Sequence, residues 1–194
     1  MRSADPVGSM FPLLLVGAVV LVPLIWFFVT YNGFIKLRNL CKESWSNIDT
    51  ELKRRYELIP NLVATCKGYA QFEQSVLTQV VEARSRAVAS TGSPASQARD
   101  ENSLVKSLRQ MIALAEGYPD LKANQQYLQL MIELRNTEDR IQAARRFYNA
   151  NVRDLNVMVD SIPSNLVAGM FKFQKAEFFE IEDALQRVAP NVQF

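Results

Sequence analysis

Apolar and polar positions divide the chain into two regimes. No charged side chain falls between Asp5 and Lys36, and Met10 to Val29 reads MFPLLLVGAVVLVPLIWFFV. As a helix these 20 residues would span about 30 Å, the thickness of a bilayer core. A secretory leader would carry a shorter apolar region, about 7–15 residues, followed by a small-residue cleavage site, so the stretch reads as an uncleaved anchor. Trp26, Phe27, Phe28, Tyr31 and Phe34 gather at its C-terminal end, as an interfacial aromatic belt would. Pro23 lies inside the span and is expected to kink it.

After Asn32-Gly33 the period becomes helical and amphipathic. Leu37, Cys41, Trp45, Ile48, Leu52, Tyr56, Ile59, Val63 and Cys66 recur at steps of 4, 4, 3, 4, 4, 3, 4 and 3, which places them on one helix face. The stripe continues loosely through Tyr69, Phe72, Val76, Val80 and Ala83 to a turn at 90–93, and Pro60 is expected to bend or break it near Ile59. A second helix has Ser93 as N-cap, Pro94 in its first position, and Gly117 and Pro119 as its stop. A third runs from about Asn124 to Ser161 and ends at Pro163. The fold class predicted is all-α: an N-terminal transmembrane helix followed by a long antiparallel bundle of three to four helices, up-down-up. The predicted division is a flank at 1–9, the span at 10–31, the bundle at 32–161, and an aromatic-rich tail at 162–194 packed on the bundle.

The helix lengths do not match. Lys36 to Ser90 is 55 residues, about 80 Å if straight, whereas Pro94 to Glu116 is 23 residues, about 35 Å. The shorter helix cannot cover the longer one, which leaves Leu37, Cys41, Trp45, Ile48 and Leu52 as an apolar stripe with no evident partner. An exposed stripe marks an interface, so this portion is expected to pack against other copies, with these five as the candidate self-association residues, or against the chain's own C-terminal tail. The alternative is that the first helix folds back at Pro60 and hides them.

Charge adds an orientation and removes several function classes. The N-terminal flank carries only Arg2, whereas Lys36, Arg38 and Lys42 follow the span, which predicts a cytoplasmic bundle and an outside N-terminus. The 22 basic and 20 acidic residues nearly cancel to a net +2, so no nucleic-acid partner is expected. There is no histidine, and with it go the commonest general base and the commonest metal ligand. No EF-hand loop, HExxH or Gly-rich phosphate loop occurs, so no metal, cofactor or catalytic residue is predicted. Cys41 and Cys66 lie on the apolar stripe, 25 residues apart. They read as packing thiols, too far apart on one helix to pair.

Two further groups are candidate partner or membrane contacts. Arg54 and Arg55 could grip phosphates at a membrane surface. Set against that, Glu51 with Arg55 and Lys53 with Glu57 fit four-residue pairs on a solvated helix face, worth about 0.2–0.5 kcal/mol each. In the tail, Phe171, Phe173, Phe178 and Phe179 stand among Lys172 and Lys175, a composition suited to an interface. The plainer reading is that these aromatics staple the tail to the bundle.

These blocks together resemble the LemA family of bacterial membrane proteins. The resemblance rests on Tyr31-Asn32, ELKRRYELIPNLV from Glu51, KGYA from Lys67, EAR from Glu82, AEGYPDLKAN from Ala115, RFYNANVRDLN from Arg146 and PSNLVAGMFKF from Pro163. It implies a single-pass anchor in the bacterial inner membrane and a helical cytoplasmic bundle, and it supplies no catalytic site or ligand. The function expected is a non-enzymatic, membrane-anchored scaffold or adaptor that contacts lipid, associates with itself and organises envelope or membrane. The alternative is a regulatory or sensing module that docks a ligand or a membrane-protein partner such as a protease.

Overall fold

A computed structural model describes residues 6–69 and 72–182, with side chains from residue 17 onward. The first five residues of the expected flank and residues 183–194 of the expected tail lie outside the described residues. Among the described residues there are six helices and no strand: α1 (Pro6–Lys67), α2 (Gln74–Ala89), α3 (Pro94–Ala115), α4 (Pro119–Ala123), α5 (Gln125–Asp160) and α6 (Ser164–Phe171). The chain is all-α, with a long apolar N-terminal helix followed by an antiparallel helical bundle. α4 and α6 are additions to the pattern read from the sequence. The chain forms two compact units, one comprising Met1–Leu40 with Arg153–Ala176, the other Cys41–Val152 with Glu177–Phe194.

In the second unit, α1 is not broken near Ile59, where Pro60 was expected to bend or break it; it ends at Lys67, and α2 starts at Gln74. Proline at position 60 has no N–H to give the Tyr56 carbonyl. Arg84 of α2 supplies the missing donor, its Nε lying 2.7 Å from Tyr56 O, so the turn is satisfied from outside and helical geometry continues to Lys67. The break is built by Gly68 and Tyr69, whose amides donate to Ala64 O at 3.3 Å and Cys66 O at 3.1 Å. Tyr69 then ties the break to α4 and the start of α5: its hydroxyl donates to Asp120 O at 3.3 Å and accepts from Asn124 Nδ2 at 3.2 Å. The Phe72 and Tyr118 rings meet at 5.3 Å.

Helix starts follow the local chemistry. The Ser93 hydroxyl accepts from the Ser96 amide at 3.4 Å, with Pro94 in the first turn of α3. Asn124 Oδ1 accepts from the Tyr127 amide at 3.0 Å at the head of α5. The core of this unit interleaves Ile48, Leu52, Ile59 and Leu62 of α1 with Leu77 and Val80 of α2, Leu104 and Leu108 of α3, and Leu134 and Ile141 of α5, all buried. Cys41 and Cys66 are buried thiols.

In the first unit, α1 approaches α5 closely at Gly33, where an added Cβ would meet Met158 Cε at 3.3 Å. Phe34 is buried and stacks on Phe173 at 4.6 Å with the rings 11° from parallel. The Arg38 guanidinium lies 5.7 Å from the same Phe173 ring, a cation–π contact. α6 closes on Lys172, whose left-handed φ of 54° turns the chain out of the helix.

Candidate functional site

The second unit contains a charged cluster inside its core. Arg55 is 0% exposed, contrary to both sequence readings, which placed it on a solvated face or at a lipid surface. Its Nη1 donates to Glu138 Oε1 of α5 at 3.0 Å, and its Nη2 donates to Glu101 of α3. The neighbouring Tyr56 hydroxyl donates to the other oxygen of Glu101. One guanidinium and two carboxylates therefore join three helices where apolar packing would be the default. Among the described residues, Arg55 Nε and Glu138 Oε2 are buried without a hydrogen-bond partner.

Burial acts to pull the Arg55 pKa down, but the fields of Glu138 and then Glu101 outweigh it, so the guanidinium stays firmly protonated. Burial and then the Glu101 charge push the Tyr56 phenol well above its ordinary range. The arrangement holds charge in place. It contains no histidine, and among the described residues no group of His, Cys, Asp or Glu could hold a metal ion. Burial also raises the Cys66 thiol to about 11, the opposite of what a reactive thiolate needs.

Arg54, next in sequence, is exposed and faces Glu51 at 3.5 Å, while Lys53 pairs with Asp49 at 2.7 Å rather than with Glu57. The five residues expected to form an exposed seam are placed differently. Cys41, Ile48 and Leu52 are buried, and Leu37 and Trp45 are half-buried. Trp45 packs at 5.3 Å from Tyr148 and edge-on at 5.2 Å from Phe179. The length comparison set α1 against the second helix alone; the 36-residue α5 and the segment after Glu177, part of the tail that the sequence offered as the other cover, pack on this part of α1 from within the chain. The exposure that pointed to self-association through Leu37, Cys41, Trp45, Ile48 and Leu52 is corrected accordingly.

The tail aromatics also separate. Phe179 is 0% exposed and so is not a surface contact, whereas Phe178 is exposed. From Glu177 to Glu182 the backbone is non-helical and is gripped by side chains of α3 and α5. Asn149 Nδ2 donates to Phe179 O, and Asn149 Oδ1 accepts from Phe179 N, both at 3.0 Å. Asn102 donates to Glu180 O at 3.0 Å and accepts from Glu182 N at 2.8 Å. The Tyr148 hydroxyl donates to Glu177 O at 2.9 Å, and Arg145 donates to Ile181 O. Of the gripping side chains, Tyr148 and Asn149 fall in the RFYNANVRDLN block quoted from the sequence, but that block gave neither of them this role, and Asn102 and Arg145 lie outside the quoted blocks.

In the first unit, Phe171 lies 4.7 Å from Tyr31 and 5.8 Å from Phe27, and Phe173 lies 5.9 Å from Tyr31. Ile162, Leu166 and Met170 are 85%, 64% and 69% exposed. On α1 of the same unit, Leu21, Ile25 and Phe28 are exposed as well.

Comparison with known proteins places this architecture. The LemA family profile matches residues 44–194. Magnetosome protein MamQ 2 of Paramagnetospirillum magneticum is 25% identical over 179 residues, covering 79% of this chain and 66% of its own length. Magnetosome protein MamQ of Magnetospirillum gryphiswaldense is 24% identical over 202 residues, covering 89% and 74%. Protein LemA of Metamycoplasma hominis is 27% identical over 158 residues, covering 81% and 71%. The chain spans about two thirds of the length of the Paramagnetospirillum relatives it matches. Among the described residues one helix, near the N-terminus, is long and apolar enough to cross a membrane, and the protein is membrane-associated. With the family match running from Ser44 through the buried arginine, the α4 joint and the gripped tail, the chain belongs to the LemA family.

Proposed function

We propose that this protein is a membrane-anchored helical scaffold that works by contact rather than by catalysis. Its N-terminal span crosses a bacterial cell membrane, the bundle lies on the cytoplasmic side, and the protein acts in more than one copy. The basic residues that follow the span, Lys36, Arg38 and Lys42 against Arg2 before it, support the orientation.

The observation that carries the reading is the apolar surface of the first unit. Leu21, Ile25 and Phe28 of α1 and Ile162, Leu166 and Met170 beside or within α6 are exposed, and Phe171 packs on Phe27 and Tyr31. Withdrawing such side chains from water is worth on the order of 1.5–3 kcal/mol each at full burial. A bilayer supplies that burial. α6 has 8 residues, about 12 Å of helix, too short to cross a bilayer and suited to lie along its interface. In the second unit the charged cluster and the asparagine grips give the bundle a defined shape with which to make contacts.

Extracting the full-length protein in polymer-bounded lipid patches and weighing single particles tests the scaffold reading. Patches carrying several copies more often than random sharing allows are expected. Single copies at random frequency, at every expression level, contradict it.

A further inference from the structure

Residues 177–182 sit on the second unit in the manner of a bound peptide. Each asparagine amide presents a donor and an acceptor to the main chain, as a neighbouring β-strand would, and so reads an extended backbone whatever its side chains. Asn149 takes both main-chain groups of Phe179, and Asn102 takes Glu180 O and Glu182 N. Side-chain selection alternates along the segment. Phe179 and Ile181 are buried, whereas Phe178, Glu180 and Glu182 face outward. The acidic positions meet donors: Glu182 pairs with Arg109 of α3 at 2.5 Å, and Glu177 accepts from the Ala95 amide at the head of α3 at 3.3 Å. The helices that form this surface have their own backbone hydrogen-bond ladders, and Trp45 of α1 completes the seat of Phe179.

We propose that this α3/α5 face is a binding site for an extended acidic segment with apolar anchors at alternate positions, and that residues 177–182 of a second copy occupy it in exchange for the resident segment. The second copy is the occupant because its six residues are the ones the site already fits, and reciprocal exchange leaves every contact count unchanged for both copies. The resident segment is tethered, at an effective concentration on the order of millimolar for a short linker. Exchange is therefore a density-dependent event, and it rests on the scaffold reading for the membrane crowding that supplies the density.

Arg99 and Phe178 line one cavity of ≈ 480 Å³ on this face, and they provide the test. In a Cys41→Ala, Cys66→Ala background, full-length protein carrying Arg99→Cys is mixed with full-length protein carrying Phe178→Cys and treated with a short bismaleimide. Cross-linked heterodimers are expected, rising with the protein-to-lipid ratio and lost when Asn102 and Asn149 are both changed to Ala. A chain carrying both cysteines reports that the pair is close. If that chain cross-links internally while the mixture stays monomeric at every density, exchange is ruled out. If the doubly substituted chain does not cross-link, the unaltered protein is challenged with a synthetic peptide of residues 175–182 bearing a photoreactive group at position 178. Labelling of α3 supports the site, and no labelling at excess peptide overturns it. Repeating the peptide labelling in detergent separates failure of the site from failure of the membrane reading, because the grip itself needs no bilayer and the peptide can be supplied in excess.

Discussion

At the scale of single residues, Arg55 decides how the bundle is specified. A guanidinium and two carboxylates removed from water cost several kcal/mol per ion, a cost that mutual attraction and hydrogen bonding offset only when all partners are present. Arg55→Met leaves Glu101 and Glu138 buried beside one another and is expected to destabilise the bundle by about 3–5 kcal/mol. Changing all three together, Arg55→Met with Glu101→Leu and Glu138→Leu, should recover most or all of that loss. Thermal unfolding followed by far-ultraviolet circular dichroism measures both. A triple variant no better than the single one contradicts a structural role for the cluster. The cluster was legible in part. Arg55 falls in a strict alternation of 3 and 4 steps through Leu52, Arg55, Ile59, Leu62 and Cys66, Glu101 falls between Ala98 and Val105, and Glu138 between Leu134 and Ile141. Each holds a core slot. Pairing by sequence distance hid this, because Glu51 stands four residues before Arg55 and offered a local partner, whereas the true partners are 46 and 83 positions away.

At the scale of elements, the sequence read helix identity well and helix ends unevenly. The start of α3 at Pro94 and the extent of α5 follow from local signals, Ser93 and Pro94 on one side and Asn124 and Pro163 on the other. The continuity of α1 through Pro60 does not, because it depends on Arg84 in another helix. Arg84→Ala is expected to cost about 1–2 kcal/mol by leaving the Tyr56 carbonyl without a donor. In a Pro60→Ala background, where the backbone amide returns, the same change should cost about 1 kcal/mol less, and a double-mutant cycle of unfolding midpoints reads the difference. Additive effects contradict the substitution of one donor for another.

The helix interfaces also carry a pH signature. Burial raises Cys66 to about 11 and Tyr127 and Tyr148 to about 12. The folded chain thus keeps protons that the unfolded chain releases from its ordinary values of 9.0 and 10.0. The stability these groups contribute is complete below pH 9 and is lost as pH climbs toward 12. In an alkaline titration, a class of phenolate absorbance should rise only above pH 10 and together with loss of helicity. All tyrosines ionising near pH 10 with helicity intact contradicts the packing described.

At the scale of the whole molecule, the long apolar N-terminal helix was plain from composition, and the surfaces around it were not. The uncharged run before Lys36 announces a helix long and apolar enough to cross a membrane. The helical part of the tail, Ser164–Phe171, has apolar residues on several sides, and the sequence could not say whether they face protein or lipid. The structure divides them: Val167 and Ala168 are buried, and Leu166 and Met170 are exposed. It also separates Phe179, an interior anchor, from Phe171, which lies against Phe27 and Tyr31. The stripe at Cys41, Ile48 and Leu52 reversed its meaning because covering it takes residues more than 100 positions away, as in the pairing of Asn151 with Ser44 at 3.3 Å. The exposed apolar surface of the first unit is the feature on which the scaffold account depends.

The most direct measurement places an environment-sensitive fluorophore at Leu166→Cys, in the Cys41→Ala, Cys66→Ala background, in full-length protein reconstituted into lipid vesicles. Nitroxide lipids labelled high on the acyl chain should quench it strongly, and iodide in the aqueous phase should quench it weakly. Strong iodide quenching with no effect of the nitroxide lipids would place α6 in water and contradict the account.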